Sequence, residues 1–359
     1  LLPMLGDEEA RTLMAATAGT RSHPAAGTAT SDAEPGILAA FAATVRATPD
    51  STALVAEDGT LSFAGLAASA SRIAAALAGA GVRRGDVVSV LLPRSRGTVE
   101  SLFGVLAAGA VYNPIDTEYP DERASAIIED AAPPVILASR TVAARAEGLL
   151  AGLTVRPRVL VLEDLAAPQE EDQENGREPD GDWAAAGLAA VAAPDPRELA
   201  YVMFTSGSTG RPKGVEVSHG ALAALLGSHR DTLLAGAGHR RVAHTTGVGF
   251  DASWDPILWM VAGHELHLIG DETRRDSRQL AAYFADHGIS AWETTPGYLR
   301  QLLTEPGFTG LLDAHAADDG PAGRFSLALG GEAFDSGLWN TVAAHPGVQA
   351  WNLYGPTEA

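Results

Sequence analysis

The 359 residues carry a net charge of −20 and include no cysteine. The negative charge argues against nucleic acid or an anionic membrane surface as a partner, because phosphate groups would be repelled, and the lack of cysteine excludes disulfides, a thiolate nucleophile and cysteine-ligated metal. With 46% hydrophobic and 19% charged residues, the composition is typical of a globular protein with two domains or one large multi-lobed unit. No apolar run approaches the ~20 residues that span a bilayer, and the start lacks the basic segment of a signal peptide. We therefore expect a cytoplasmic protein without membrane or nucleic-acid partners.

The first 35 residues are expected to form a linker between domains. GDEEARTLMAATAG suits a short helix, and TRSHPAAGTATSDAEPG, which follows it, is rich in small residues and proline and has no periodicity. The alternating pattern of a folded domain begins only after this stretch.

From residue 36 onward, helical and apolar extended segments alternate. SFAGLAASASRIAAALAGAG predicts a helix with Ser62 as its N-cap, and DVVSVLL predicts a strand that ends before Pro93. GTVESLFGVLAAGA and DERASAIIEDAA predict further helices, whereas VYNPI and PVILAS predict strands. Apolar strands separated by helices indicate a parallel sheet covered on both faces. Residues 36–196 are therefore predicted to form a first α/β subdomain.

The second half repeats this pattern after an acidic stretch. Residues 163–182 contain nine acidic residues and one arginine, which predicts a solvated surface loop. Beyond it, strands are predicted for LAYVMF, HELHLI, ISAWET, FSLALG and VQAWNLY, and helices near 218–228, 276–287 and 335–345. Residues 197–359 are therefore predicted to form a second α/β subdomain. His264 and His267, three apart in a predicted strand, suit a structural role better than metal binding.

A stretch rich in glycine and hydroxyl groups, TSGSTGRPKG at residues 205–214, follows the apolar strand that ends at Phe204. In such an arrangement backbone N–H groups and hydroxyls surround phosphate oxygens, and glycines let the backbone approach closely. A flexible linker is the alternative, but a linker gains nothing from the Pro212–Lys213 pair or from a strand directly before it. The Walker A pattern is not met, because Gly214 stands where that pattern requires a hydroxyl. The stretch therefore predicts a phosphate-binding loop of another type.

Six ordered motifs resemble those of adenylate-forming enzymes, a superfamily that includes acyl-CoA synthetases, luciferases and the adenylation domains of nonribosomal peptide synthetases. They are LSFAGL (61–66), LAAGAVYNPIDTEYPDER (106–123), YVMFTSGSTGRPKGVEVSHGAL (201–222), FDASWD (250–255), GGEAF (330–334) and NLYGPTE (352–358). Their order and spacing resemble the peptide synthetase branch from about residue 37 to the end. The resemblance implies an α/β fold of two stacked, helix-flanked, mostly parallel sheets, with the active cleft at the carboxyl ends of strands. LLPMLGDEEARTLM also resembles the linker between a condensation and an adenylation domain.

The reaction that this resemblance implies is attack of a carboxylate on the α-phosphate of ATP, which yields an acyl-adenylate and pyrophosphate, with Mg²⁺ as the metal. For the β- and γ-phosphates the resemblance implies a loop of Thr205, Ser206, Gly207, Ser208, Thr209, Gly210 and Lys213. For adenine and ribose it implies Gly331, Glu332, Asn352 at the adenine edge and Tyr354 on the adenine face. Thr357 is implied to meet the α-phosphate and Glu358 to hold Mg²⁺. The implied catalytic residues are Thr205, Ser206, Lys213, Thr357 and Glu358.

The FDASWD motif concerns the substrate. In the amino-acid-activating branch, the aspartate that matches Asp251 pairs with the α-ammonium group of the substrate, which favours an α-amino acid over a fatty, aryl or keto acid. A helix N-cap is the alternative role for this residue. The substrate-binding positions that carry over are Phe250, Asp251, Ala252, Asp255, Glu293, Ala328, Gly330 and Leu353.

Two carboxylates in that set, Asp255 and Glu293, stand among small and apolar neighbours. Because a buried charge requires a partner, they predict a basic substrate side chain such as that of ornithine, lysine, arginine or a derivative. Two alternatives remain open: either carboxylate pairs with a neighbouring side chain, or WETTPGYL aligns one residue away. A polar neutral substrate is the second choice.

Two parts of the family's pattern have no counterpart in these residues. They are a Tyr-Arg-Thr-Gly-Asp segment and the small C-terminal subdomain whose lysine contacts the adenylate, so we expect the large N-terminal core of a longer synthetase, incomplete as a catalyst. The resemblance further implies transfer to the phosphopantetheine of a peptidyl carrier domain, an upstream condensation domain and, in many members, an MbtH-like helper protein. The alternatives are an acyl- or aryl-CoA ligase, against which Asp251 and NLYGPTE argue, and a non-catalytic nucleotide-binding fragment, which the intact phosphate loop opposes.

Overall fold

The computed structural model describes residues 35–153, 156–166, 194–205, 211–316, 323–333, 335–355 and 357. By internal contacts the chain divides into residues 1–34 and residues 35–359, and every described residue belongs to the second unit. The predicted linker and the predicted acidic loop lie outside the described residues, except for residue 35 and residues 163–166. Both remain predictions.

Helices and strands alternate along the described chain. The helices are α1 (Ile37–Ala47), α2 (Phe63–Gly79), α3 (Arg96–Ala107), α4 (Asp121–Ala131), α5 (Ala143–Leu149), α6 (Leu162–Ala166), α7 (His219–Asp231), α8 (Trp254–Val261), α9 (Asp271–Arg275), α10 (Ser277–His287), α11 (Pro296–Leu302), α12 (Pro306–Ala316) and α13 (Ser336–Ala343). The strands are β1 (Thr52–Ala56), β2 (Gly59–Ser62), β3 (Val87–Leu92), β4 (Val111–Asp116), β5 (Val135–Ala138), β6 (Arg158–Val161), β7 (Leu199–Thr205), β8 (Lys213–Ser218), β9 (Arg241–His244), β10 (Glu265–Leu268), β11 (Ala291–Thr294), β12 (Phe325–Leu329) and β13 (Val348–Asn352). No helix in these ranges is both long and apolar enough to cross a membrane.

The strands form two sheets. The order is β13-β12-β11-β9-β10-β1-β2 in the seven-stranded sheet and β6-β5-β3-β4-β7-β8 in the six-stranded sheet. Neighbours are parallel, apart from the antiparallel pairs β1–β2 and β7–β8. The prediction of helix-flanked, mostly parallel sheets is confirmed. The sequence analysis did not predict β1, β2, β6, β8 and β9. Strands β2 and β8 were missed because their partly exposed residues lack a continuous apolar run.

Each sheet takes strands from both halves of the chain. Strands β1 and β2 precede residue 196 but belong to the seven-stranded sheet, and β7 and β8 follow it but belong to the six-stranded sheet. The predicted boundary between residues 196 and 197 therefore does not separate one sheet from the other. The cause is long-range pairing, such as Leu54 in β1 beside Leu266 in β10, which no local pattern reveals.

Helices α1, α2 and α3 form the core that joins the sheets. They share one hydrophobic cluster with residues of β1, β3, β7 and β10, and the rings of Phe41 and Phe103 stack at 4.3 Å between centroids. Helix α3 can approach α2 closely because residue 104 is glycine: a Cβ at Gly104 would lie 2.5 Å from Ile73 Cγ2. The predicted N-cap of α2 is confirmed, since Ser62 Oγ accepts a hydrogen bond from the Gly65 N–H at 3.0 Å.

A buried polar network supports the strand that leads to the glycine-rich loop. Strand β4 contains Pro114, which has no N–H for the ladder. The neighbouring Asn113 is fully buried, donates to the Val202 carbonyl of β7 at 3.1 Å and accepts from the Ser89 hydroxyl of β3 at 2.8 Å. Side-chain bonds thus tie β3, β4 and β7 together beside the proline.

Candidate active site

The glycine-rich stretch spans the turn of a hairpin. Strand β7 ends at Thr205, β8 begins at Lys213, and these two residues pair in the antiparallel ladder. Thr205 is partly buried and Lys213 is exposed. The predicted phosphate-binding residues between them, Ser206, Gly207, Ser208, Thr209 and Gly210, lie outside the described residues. The hairpin therefore holds the base of the loop, and phosphate binding stays a prediction.

The two cations of the stretch differ in their surroundings. Arg211 forms ion pairs with Glu129 at 3.1 Å and Asp130 at 2.6 Å, both on α4. The exposed Lys213 forms no ion pair or hydrogen bond through its ammonium group with any residue that the structure describes. Lys213 is thus the cation of this pair that is available to an anion.

The FDASWD motif forms the turn before α8. Residues Asp251–Ser253 make one 3₁₀ turn, and the Asp251 carboxylate accepts a hydrogen bond from the Ala252 N–H at 2.8 Å. Asp251 does not cap α8, because Ser253 occupies the N-cap position. Within the described ranges, no ion pair involves Asp251, and the adjacent Phe250 is 58% exposed. This turn therefore presents a carboxylate without a cationic partner beside an exposed aromatic ring.

A cavity lies among α8, β9, β11, β12 and β13. Its wall consists of Leu233, Val242, Pro256, Trp259, Trp292, Glu293, Ser326, Ala328 and Trp351. The predicted positions Glu293 and Ala328 face each other in the parallel pairing of β11 with β12. Two polar atoms of the wall, Glu293 Oε2 and Ser326 Oγ, are shielded from solvent and have no hydrogen-bond partner in the described chain. The cavity therefore combines three indole rings with unpaired polar atoms.

The charges of the two aspartates predicted for the pocket act on the predicted glutamate. Burial raises the pKa of Glu293 well above its ordinary value of 4.5, and the charge and hydrogen bond of Asp255 and the charge of Asp251 raise this pKa further. Glu293 as a whole residue is partly exposed, but its Oε2 is shielded, so the carboxyl group has the environment of a buried acid. Burial also raises the pKa of Tyr201, with the same two aspartates adding to it. The fold thus brings Asp251, Asp255 and Glu293 together.

A histidine that the sequence did not point to completes this cluster. Nε2 of His229 lies 2.7 Å from Oδ1 of Asp255, and the side chains are only 6% and 16% exposed, respectively. The alternative in which a carboxylate pairs with a neighbouring side chain therefore applies to Asp255. The available signal was periodicity, because His229 falls on the buried stripe of α7 with Leu222 and Leu226.

A buried arginine supports the carboxyl ends of two strands beside the site. Arg94, which follows β3, donates to the carbonyls of His244 at 2.5 Å, Thr246 at 2.6 Å and Ile269 at 2.7 Å. Burial lowers the pKa of Arg94 to about 10, so it remains a cation at neutral pH. No local pattern indicates this role, because the three carbonyls lie at least 150 residues away along the chain.

Close backbone contacts shape the region predicted to bind substrate and adenine at the ends of β12 and β13. A Cβ at Gly330 would lie 3.1 Å from the Leu353 carbonyl oxygen, and the Leu353 N–H donates to the Leu329 carbonyl at 2.7 Å. Gly331 has a positive φ of 78°, a conformation that favours glycine. The two glycines therefore allow the chain after β12 to turn against the end of β13.

The residues predicted to contact the nucleotide differ in solvent exposure and in hydrogen bonding. Asn352 ends β13 and is exposed, and Tyr354 is 97% exposed. The carboxylate of Glu332 accepts a hydrogen bond from the Gly297 N–H at the start of α11, at 3.1 Å, so it has a structural partner. Thr357 is partly buried, whereas Glu358 lies outside the described residues.

No metal site is evident in the described ranges, where no group of three histidine or acidic side chains could hold an ion. His267 is buried and bonds Tyr283 Oη at 3.0 Å and Glu265 Oε1 at 2.8 Å. His264 accepts a hydrogen bond from the Arg240 N–H at 3.1 Å. These contacts agree with the structural role predicted for both histidines, and the proposed Mg²⁺ ligand Glu358 stays a prediction.

Similarity to known proteins identifies the class to which this site belongs. Residues 41–359 match the family model of AMP-binding enzymes. The chain is 32% identical to vanchrobactin synthetase VabF of Vibrio anguillarum over 342 residues, 90% of this chain and 11% of VabF. It is 34% identical to AMB antimetabolite synthetase AmbE of Pseudomonas aeruginosa over 361 residues, which cover 100% of this chain and 15% of AmbE.

The solved structures agree. The crystal structure of AB3403, a four-domain nonribosomal peptide synthetase bound to AMP and glycine, matches with a TM-score of 0.72 and 28% identity, over 92% of this chain and 22% of AB3403. The chain therefore belongs to the AMP-binding enzyme family. It spans only 11% and 15% of the lengths of VabF and AmbE.

Proposed function

We propose that this chain is the core of a nonribosomal peptide synthetase adenylation domain, which activates an α-amino acid with ATP and Mg²⁺. Support comes from the family match over residues 41–359 and from the similarity to a synthetase that binds AMP and glycine. The Asp251 carboxylate, which has no cationic partner in the described chain, supports an amino acid as the substrate. Such a carboxylate suits an α-ammonium group, and an acid without that group would leave it unpaired.

The proposed reaction joins the substrate carboxylate to the α-phosphorus of ATP and releases pyrophosphate. Little covalent chemistry is required of the protein, so its task is to position the reactants and to neutralise charge on the phosphate oxygens. Lys213, exposed at the base of the hairpin, suits the second task as a point charge. Asp251 would orient the substrate by its ammonium group.

We further propose that the substrate side chain is basic. The observation that carries this proposal is the cavity with Glu293 Oε2 shielded and unpaired beside Trp259, Trp292 and Trp351. A cationic group would pair with the carboxylate, and indole rings attract cations over their faces. Ser326 Oγ, also without a partner in the described chain, offers a further contact to a polar chain end.

A polar neutral side chain is the second candidate, and the state of Glu293 favours it. The raised pKa of Glu293 keeps this group protonated at pH values where an ordinary glutamate is ionised, and a carboxylic acid can both donate and accept hydrogen bonds. Asp255, with His229 beside it, does not require a substrate cation.

Amino-acid-dependent pyrophosphate–ATP exchange, measured on the full-length protein with a panel of amino acids, distinguishes these candidates. We expect the fastest exchange with ornithine, lysine, arginine or a derivative. Exchange with a polar neutral amino acid would retain the adenylation function and refute the basic substrate. Exchange with acyl or aryl acids but not with amino acids would refute both the amino-acid-activating function and the basic substrate.

Three variants test whether the predicted pocket residues determine the outcome of the exchange assay. Asp251→Asn removes a charged partner of the α-ammonium and should raise KM for every amino acid roughly 10- to 100-fold. Glu293→Gln should raise KM for basic amino acids in particular. An unchanged preference in both Glu293→Gln and Asp255→Asn would contradict the basic-substrate proposal.

Other domains complete the proposed pathway. The aminoacyl group would pass to the phosphopantetheine thiol of a peptidyl carrier domain, with a condensation domain upstream and an MbtH-like protein as helper. The four-domain organisation of AB3403 supports such neighbours. Mass spectrometry of the carrier domain after incubation with ATP and the amino acid would show the expected aminoacyl adduct.

A further inference from the structure

Three titratable side chains come together beside the cavity, each from a different element, and Glu293 is the member of this group that lines the cavity. His229 comes from α7, Asp255 from α8 and Glu293 from β11. His229 and Asp255 are in contact at 2.7 Å, and the charge of Asp255 acts on the Glu293 carboxyl, whose Oε2 is shielded from solvent. Asp255 therefore lies between a histidine on one side and a second acid on the other.

The hydrogen bonds of His229 determine where its protons are. Nδ1 lies 3.0 Å from the Leu225 carbonyl oxygen, which can only accept, so Nδ1 carries a proton. If the ring were neutral, Nε2 and an ionised carboxylate oxygen would lie 2.7 Å apart with no proton between them, which is repulsive. The contact does not meet hydrogen-bond geometry at Nε2, but it is short enough for an ion pair. A proton therefore resides in the His229–Asp255 contact.

The charge of Asp255 also favours a proton on Glu293, because two neighbouring ionised carboxylates repel each other. The charges that raise the pKa of Glu293 belong to Asp255 and Asp251, and Tyr201 on β7 lies within reach of the same aspartates. Strands β12 and β13 contribute the non-titratable wall residues Ser326, Ala328 and Trp351. With one proton between His229 and Asp255 and one on Glu293, the three-residue cluster carries no net charge.

We propose that His229 is a positioning residue for substrate selection: it is the counter-ion of Asp255, so Glu293 is the one member of the cluster that ionises when a cationic side chain enters. This inference rests on the proposed function with a basic substrate. The balance is simple: the Glu293 carboxylic acid loses its proton to solvent, and the resulting carboxylate pairs with the substrate cation. Binding of a basic amino acid should therefore release about one proton at pH values below the raised pKa of Glu293.

Replacing His229 should change the number of protons released on substrate binding, which a purely structural role for His229 does not predict. In His229→Gln the cluster loses one positive charge, so Asp255 and Glu293 share a single proton and carry one net negative charge. A substrate cation then neutralises this charge without displacing a proton. In Glu293→Gln the group that would ionise is absent, so proton release also disappears, but affinity for the basic amino acid decreases at the same time.

The experiment is calorimetric titration of the full-length protein with the basic amino acid preferred in the exchange panel, in buffers that differ in ionisation enthalpy. We expect release of about one proton for the wild type and close to zero for His229→Gln, with binding retained. At pH values below the raised pKa of Glu293, the KM for the basic amino acid should fall about tenfold per pH unit in the wild type. In His229→Gln this KM should not change with pH. Equal proton release by the two proteins would overturn the inference and leave the proposed function intact.

A second measurement does not depend on the substrate or on the folding of His229 variants. Infrared spectra at neutral pH should contain the C=O stretching band of a buried carboxylic acid, which Glu293→Gln removes and Ser326→Ala retains. The same band in Glu293→Gln as in the wild type would refute a protonated Glu293, whichever amino acid the exchange panel identifies. If the exchange panel identifies a neutral amino acid as the preferred substrate and Glu293→Gln loses the band, Glu293 is protonated but the basic substrate is refuted. Proton release on substrate binding is then refuted as well.

Discussion

Replacing Glu293 by glutamine should stabilise the protein increasingly as pH rises. The folded state raises the pKa of Glu293 well above 4.5, so it holds a proton that the unfolded chain loses. The contribution to stability is full below the unfolded pKa and is lost as pH rises towards the folded pKa. With one proton more in the folded state, the slope approaches about 1.4 kcal/mol per pH unit. Glutamine has no such proton, so the free energy of unfolding of Glu293→Gln should exceed that of the wild type by this growing amount from pH 5 upward.

Urea unfolding at several pH values between 5 and 7, followed by two spectroscopic probes, measures this difference. Thr294→Ser on the same strand is the matched control, because it changes no ionisable group and its difference from the wild type should be independent of pH. A constant difference between Glu293→Gln and the wild type over the whole range would refute the assignment of a raised pKa.

Three further substitutions test a backbone conformation, a close backbone approach and the buried arginine beside the site. Ala132 ends α4 with a left-handed φ of 43°, so Ala132→Gly should stabilise the protein by about 1 kcal/mol in urea unfolding. A Cβ at Gly347 would lie 2.2 Å from the Leu312 carbonyl oxygen of α12, and Gly347→Ala should therefore lower stability by about 1–3 kcal/mol. Arg94→Met should cost about 2–5 kcal/mol, because three buried carbonyls lose a charged donor, and it should also slow amino-acid-dependent exchange.

Matched control variants on α4 and α12 test whether these changes in stability arise from the stated contacts or from any substitution in the same element. Ala126→Gly lies in the middle of α4 and should destabilise the protein by about 0.5–1 kcal/mol. Stabilisation by both glycine substitutions would contradict the argument from φ. Gly310→Ala lies on α12 with no atom within 4 Å of the new Cβ and should stabilise by about 1 kcal/mol. Equal effects at residues 310 and 347 would show that the close approach is unimportant.

Much of the fold could be predicted because it depends on local patterns. Continuous apolar runs marked strands such as β3 and β7, and the Ser62 cap marked the start of α2. Among the strands that were missed, β8 is partly exposed and β6 and β9 have only four residues each. Their hydrogen-bond partners and the exchange of strands between the sheets depend on pairing across more than 200 residues, as between Leu54 and Leu266.

The candidate site divides in the same way. The sequence alone determined the residue types that carry the chemistry, namely the glycine-rich stretch before Lys213, the Asp251 turn and the carboxyls of Asp255 and Glu293, because these lie in contiguous motifs. Only the tertiary structure decided the charge state of the cavity, since His229 reaches Asp255 from another helix and the Glu293 carboxyl is shielded from solvent. A motif specifies which groups are present, whereas desolvation and the distance to the next charge, which determine whether a carboxyl is ionised, exist only once distant segments are packed together.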